Sequence, residues 1–159
     1  MAIEIERKFL VRASPVTADT PGTSIVQGHF QLPDSRMLLR VRVTPEAAYL
    51  AVKSQRRGPV RSEFESEIAL ELGEVLLGIL ENRAVAKIRY PILEGGRVWV
   101  VDVFQDGNSG LILAEIQLSH PDEELSIPTW CGLEVTEDDR YYSAYLAEHP
   151  YQSWGQIST

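Results

Sequence analysis

Glu4, Glu6 and Lys8 stand at every second position near the N-terminus, with Ile3 and Ile5 in register between them. A spacing of two puts all three charged groups on one face of a strand, so two carboxylates and an ammonium project together. The pattern recurs down the chain. Arg40 and Arg42 share a face, Lys53 ends an apolar run, and Arg61, Glu63, Glu65 and Glu67 share another face. Lys87 with Arg89, then Asp102, then Glu115 with Gln117 follow. Carboxylates bind hard divalent cations through oxygen, while arginine and lysine bind phosphate oxygens. If these faces converge, they make a metal–polyphosphate site.

The simplest alternative is the wet side of an open antiparallel sheet, where charge is expected. Composition argues against it, because such a side carries many Thr, Ser and Gln and these positions favour ionisable residues. A sheet closed with the charged face inward must neutralise its own lining or hold ions and water, since an unpaired buried charge is costly.

The elements that must position these residues are mostly strands. Period-two alternation predicts strands over 2–11, 25–32, 37–44, 48–54, 60–70, 85–93, 97–104 and 111–119. Turn signals separate them at Pro33-Asp34-Ser35, Pro45-Glu46, Gly95-Gly96 and Asp106 to Gly110. One helix is predicted from Leu72, Val75, Leu76, Ile79 and Leu80 at helical spacing, with Glu71, Glu74 and Glu81 elsewhere. A short second helix is expected from Asp138 or Asp139 to just before Pro150. Eight strands with two or three helices and short turns indicate a β-dominated α+β fold, an antiparallel sheet that curls or closes into a barrel.

Bulk properties bound the function. The 159 residues are 44% apolar and 24% charged, enough for one globular domain spanning 1–159. The net charge of -8 argues against a nucleic-acid partner, which wants a basic field. Apolar runs are too short to cross a membrane, and the charged N-terminus is no signal peptide. With Cys131 alone no internal disulfide forms, and a cytoplasmic location is expected. His29, His120 and His149 lack zinc spacing with one another or with Cys131. No P-loop and no nucleophile-elbow serine is present.

Glu4-Ile5-Glu6-Arg7-Lys8 resembles the Glu-x-Glu-x-Lys motif of the CYTH superfamily, the triphosphate tunnel metalloenzymes. The likeness continues in order through Arg40-Val41-Arg42, Val52-Lys53-Ser54, Arg61 with Glu63-Phe64-Glu65, and Lys87-Ile88-Arg89-Tyr90. Val101-Asp102-Val103-Phe104, Glu115 and Val135-Thr136-Glu137-Asp138 extend it over residues 1 to 147.

This resemblance implies an eight-stranded antiparallel closed β-barrel with a charged interior and a few flanking helices. It implies metal-dependent hydrolysis of a triphosphate, as in small bacterial inorganic triphosphatases, by a metal-activated water. By position, Glu4, Glu6, Glu115 and Gln117 would hold Mg²⁺ or Mn²⁺. Lys8, Arg40, Arg42, Lys53, Arg61, Lys87 and Arg89 would grip phosphates, with Glu63, Glu65 and Asp102 in support. Glu4, Glu6, Lys8 and His29 would be the catalytic group.

Three positions depart from the family. Gln117 replaces an acid, His29 stands where relatives often have Tyr, and Asp139 stands where they often have Lys. The implied partner is a small anionic triphosphate, and a homodimer is left open. Rival readings are a class IV adenylate cyclase, a thiamine triphosphatase using Trp99, Trp130 or Trp154, and a non-catalytic polyphosphate- or nucleotide-binding module.

Overall fold

The computed structural model describes residues 2–155 apart from 34, 81 and 82. Asp34 and Glu81, placed above in a turn and on a helix, therefore lie outside the described residues. Among those described, the strands are β1 (Ala2–Val11), β2 (Thr23–Gln31), β3 (Leu38–Val43), β4 (Ala48–Lys53), β5 (Val60–Ile68), β6 (Ala84–Glu94), β7 (Arg97–Phe104), β8 (Ile112–Gln117) and β9 (Cys131–Glu134). Helix α1 (Leu70–Leu80) sits between β5 and β6, and α2 (Ser143–Glu148) follows β9.

The sheet order is β5-β4-β3-β2-β6-β7-β8-β1-β9, and β1 also pairs with β5. That last pairing closes eight antiparallel strands into a barrel, with Glu4 opposite Arg61 on β5 and Lys8 opposite Glu115 on β8. β9 is an addition to the eight expected strands. It pairs with the stretch of β1 that β5 leaves uncovered, Phe9 to Val11, and supplies hydrogen bonds to that edge. The strand carries no alternating apolar pattern over its four residues, which hides it in the sequence.

Outward side chains pack beneath two covers. Phe9, Trp99, Val101, Ala114 and Ile116 lie under Leu118, Leu125, Trp130 and Cys131. Helix α1 lies across β2, β3 and β4. Gly28 leaves room for it, because a Cβ there would stand 2.2 Å from Leu80 Cδ1 and push that side chain aside. The helix does not bury the stripe expected of it. Leu80 is buried, but Leu72, Val75 and Ile79 are exposed, because the close approach runs through Gly73 against Ala48.

Inward positions of β1, β6, β7 and β8 turn apolar toward one end of the barrel. Leu10 follows Lys8, Val85 precedes Lys87, Phe104 follows Asp102, and Leu113 precedes Glu115. Val135, Tyr141 and Leu146 pack onto this apolar layer. The helix expected to start near residue 138 is broken, with a 3₁₀ turn at Asp139–Tyr141, an extended Tyr142, then α2. Gly95 and Gly96 form the expected hairpin turn at φ 59° and 76°. No helix among the described residues is long and apolar enough to cross a membrane.

Candidate active site

Alternation along the strands carries the charged side chains inward. Glu4, Glu6 and Lys8 from β1, Gln27 and His29 from β2, Arg40 and Arg42 from β3, and Lys53 from β4 line one cavity. Arg61, Glu63 and Glu65 from β5, Lys87 and Arg89 from β6, and Glu115 and Gln117 from β8 complete its walls. Its volume is about 180 Å³, and Tyr142, Ser143 and Ala144 close part of it. Thus every site residue expected from the sequence borders this space except Asp102, which lies one layer behind and is 1% exposed. Seven cationic side chains face five carboxylates on the lining, so the lining has a formal positive excess despite the acidic chain. A wider chamber of about 760 Å³ adjoins it beside the β2–β3 and β4–β5 connections, with Arg61 and Tyr142 bordering both spaces.

One wall is internally paired. Asp102 accepts from Lys87 Nζ at 2.7 Å and, as a fork, from Arg89 Nε and Nη2, each at 2.8 Å. Glu115 stands 3.1 Å from Lys8 Nζ and 3.6 Å from Arg89 Nη2. Burial would lift both carboxyls, but the surrounding cations outweigh it and hold them below the usual carboxylate range. Burial brings Lys87 down to about 8 although Asp102 opposes it.

The opposite wall is short of anions. Arg40 reaches Glu65 at 2.6 Å and Glu63 at 3.3 Å, and Lys53 reaches Glu63 at 3.3 Å and Glu4 at 3.5 Å. Arg42 Nε, however, donates only to the neutral Gln27 Oε1, at 3.1 Å. Arg40 Nε, Arg61 Nε and His29 Nδ1 are buried with no hydrogen-bond partner among the described residues. Burial, then Arg40 and Arg89, lower Arg42 to about 10. Burial, then Arg40 and Lys53, push His29 down to about 3, which keeps its ring neutral.

Where β1 meets β8, Glu6 crowds Glu115 and makes no ion pair of its own among the described residues. Burial, then Glu115, raises Glu6 to about 7 against the pull of Lys8. Burial raises Glu4 as well, with Glu63 and Glu115 adding to the rise against Lys53. Gln117 Nε2 donates to Glu6 Oε2 at 3.0 Å. A hard divalent cation fits this donor set, because it would relieve like-charge crowding that Lys8 and Lys53 offset only in part. Among the described residues no group of three or more His, Cys, Asp or Glu gathers tightly enough to hold an ion alone. Magnesium is commonly held by one or two carboxylates with substrate phosphates completing the shell, which matches such an open arrangement.

Sequence reasoning missed four participants. Gln27 shares the parity of His29 on β2, so alternation could have found it; it also donates to Ser143 Oγ at 2.7 Å. Arg56, Tyr142 and Ser143 lie outside regular strands, where no period announces them. Asp139 has a partner after all, the Arg56 guanidinium.

No protein-family model matches the chain. A protein of Acetivibrio thermocellus named inorganic triphosphatase is 36% identical over 155 residues, spanning 97% of this chain and 99% of that one. One of Nitrosomonas europaea with the same name is 35% identical over 147 residues, 91% of this chain and 96% of that one. The crystal structure of an inorganic triphosphatase superposes with a TM-score of 0.67 at 34% identity, covering 92% of this chain and 95% of the other. With relatives matched along nearly their whole length and a closed, charged barrel, the chain belongs to the inorganic triphosphatase family of the CYTH superfamily.

Proposed function

We propose that this protein hydrolyses a triphosphate, with inorganic tripolyphosphate as substrate and Mg²⁺ or Mn²⁺ as cofactor. The observation that carries the reading is the division of charge inside one closed barrel. One wall offers guanidinium donors, on Arg42, Arg40 and Arg61, that meet no carboxylate among the described residues, and at the β1–β8 seam Glu6 is a carboxylate with no ion pair there. A polyphosphate and a divalent cation satisfy the two shortages together.

Arg42, Arg61 and Arg40 hold phosphate oxygens through donors that, among the described residues, are unpaired or bonded to a neutral group. Lys8, Lys53, Lys87 and Arg89 add charge around the chain of phosphates. Glu4, Glu6 and Glu115 hold the cation, with Gln117 turned to present its carbonyl oxygen. When bound, the cation supplies neutralisation of phosphate charge and a lowered pKa for water. Phosphoryl transfer asks mainly for positioning and charge neutralisation, which fixed guanidinium and ammonium groups provide. Glu63, Glu65 and Asp102 keep those cations in place. His29, kept neutral by burial and its cationic neighbours, offers a ring nitrogen to phosphate. The lining suits a small anion and not a nucleic acid or a lipid, and a cytoplasmic location suits a chain whose one cysteine, Cys131, is a free thiol.

The test is phosphate release from tripolyphosphate, pyrophosphate, ATP and thiamine triphosphate with Mg²⁺, Mn²⁺ or EDTA. Release from tripolyphosphate that disappears with EDTA is expected, and loss of that release in Glu4→Gln and Glu6→Gln. Full activity in either variant would remove those carboxylates from the site.

A further inference from the structure

The residue that sets the position of Lys8 comes from the C-terminal segment. Lys8 is buried, yet its stem has four rotatable carbons, so something must fix where its ammonium stands. Residues 135–142 wrap it. Thr136 Oγ1 accepts from the Lys8 backbone N–H at 2.9 Å, and Val135 N–H donates to the Lys8 carbonyl at 2.8 Å. Lys8 Nζ donates to the Tyr141 carbonyl at 3.2 Å and stands 3.1 Å from Glu115. The remaining side is filled by the ring of Tyr142, whose centroid lies 3.7 Å from Nζ.

That ring is itself clamped. The Arg56 guanidinium carbon lies 3.6 Å from the same centroid. Two cations that close to one centroid cannot share a face without colliding, so Lys8 and Arg56 sandwich the ring. Arg56 Nη1 also donates to Tyr142 Oη at 2.8 Å and to the Thr136 carbonyl at 2.5 Å, while Nη2 pairs with Asp139. Tyr142 Oη in turn donates to the Thr136 carbonyl at 2.8 Å. Ring position and tilt are therefore determined by a residue of the β4–β5 connection.

We propose that Tyr142 is the positioning residue for Lys8, and that Arg56 and Asp139 hold it there as a latch across the tunnel entrance. The electron-rich face attracts the ammonium without supplying a lone pair or a charge that would compete with phosphate. Lys8 is thereby held against the inner cavity and left free to exchange its contacts for phosphate oxygens. The proposal rests on the triphosphatase reading for its kinetic consequence and on geometry alone for its structural one.

Two readouts separate these. In the ¹³Cε-lysine NMR spectrum of the whole protein, the Lys8 Hε signals, identified by their loss in Lys8→Met, are expected upfield from ring current. They should return to ordinary positions in Tyr142→Leu and stay shifted in Tyr142→Phe. For tripolyphosphate hydrolysis, Tyr142→Leu should lower kcat/KM about ten-fold, and Tyr142→Phe should keep most of it. In a Lys8→Met background, Tyr142→Leu should cost less than about two-fold, because the ring acts through the lysine. A full and additive loss in that background, or Lys8 signals that ignore Tyr142→Leu, would overturn the proposal. Absence of hydrolysis in the wild-type protein would overturn the functional reading, leaving the NMR signals to decide this one.

Discussion

The two walls of the tunnel handle buried charge in opposite ways. Along β6, β7 and β8, Asp102 and Glu115 tie Lys87, Arg89 and Lys8 into a network in which each charge has a partner within 3.6 Å. Along β2 and β3, Arg42 Nε meets only a neutral amide among the described residues, and Arg40 Nε and His29 Nδ1 have no partner there, although Arg40 Nη2 reaches Glu63 and Glu65. A buried network satisfied from within holds shape, because every charge already has its counterion. A wall left unsatisfied holds free energy in reserve for an anion that brings the missing charges. The difference assigns scaffold duty to one wall and affinity to the other, and it can be broken by substituting one residue from each.

The largest effect is expected from Asp102→Asn. It leaves the ammonium of Lys87 and the fork of Arg89 facing a neutral amide in a site 1% exposed. Removing one partner of a buried ion pair costs about 3 to 5 kcal/mol, so chemical denaturation should show a loss of that size with the m-value unchanged. A loss under about 1 kcal/mol would show that the network is not what holds this wall.

Arg42→Ala on the opposite wall should act on substrate instead. Hydrogen bonds to charged groups contribute about 1.5 to 3 kcal/mol, which corresponds to roughly ten- to a hundred-fold in KM at constant kcat if ground and transition states are gripped alike. Stability should stay within about 1 kcal/mol of the parent, since the side chain removed had no carboxylate partner among the described residues. Steady-state kinetics and a melt on the same preparation decide it. A destabilised variant with unchanged KM would reverse the division between the walls.

The seam between the walls should respond to pH. Glu6 is raised to about 7 from an ordinary value of 4.5, so between those values the folded, metal-free protein binds more protons than the unfolded chain. Stability from this group is therefore full below 4.5 and is lost as pH rises toward 7. In EDTA, wild type should lose melting temperature relative to Glu6→Gln as pH climbs through that window. Activity should run the other way. Below pH 7, kcat/KM should fall about ten-fold per unit as Glu6 takes up its proton, and more divalent cation should move the midpoint to lower pH. A midpoint indifferent to metal concentration would separate Glu6 from the cation.

These contrasts also explain what could be read without coordinates. Glu4, Glu6 and Lys8, and the pairs Arg40–Arg42 and Lys87–Arg89, were legible because a strand alternates with period two and charge on one face persists over many strands. Closure was half legible: the wealth of ionisable residues on one face argued for it, and the family resemblance decided it. Alternation is the same for an open sheet, and the pairing of β1 with β5 joins residues about sixty positions apart with no local signal. The C-terminal segment was the least legible. A helix was expected where the chain makes a 3₁₀ turn, an extended residue and then α2, and the extended residue is Tyr142. Contacts such as Arg56 with Asp139, 83 positions apart, depend on two irregular stretches meeting at the entrance, and periodicity says nothing of them.

The smallest effect, and the sharpest in sign, belongs to Gln117. Its amide donates to Glu6 at 3.0 Å, so it relieves a carboxylate whose charge burial and Glu115 disfavour. In Gln117→Glu that donor becomes another acceptor. Without metal, a further carboxylate in the same cluster raises repulsion and should lower the melting temperature by a few degrees, about 1 kcal/mol. With metal, added ligand charge tightens cation binding, so half-maximal activity should need several-fold, about three to ten times, less Mg²⁺ or Mn²⁺. Saturating cation should then raise the variant's melting temperature by more than it raises the parent's, through linkage. A shift of the same sign and size in EDTA and in Mg²⁺ would mean the side chain at 117 does not face the cation, and the seam would have to be completed by substrate oxygens alone.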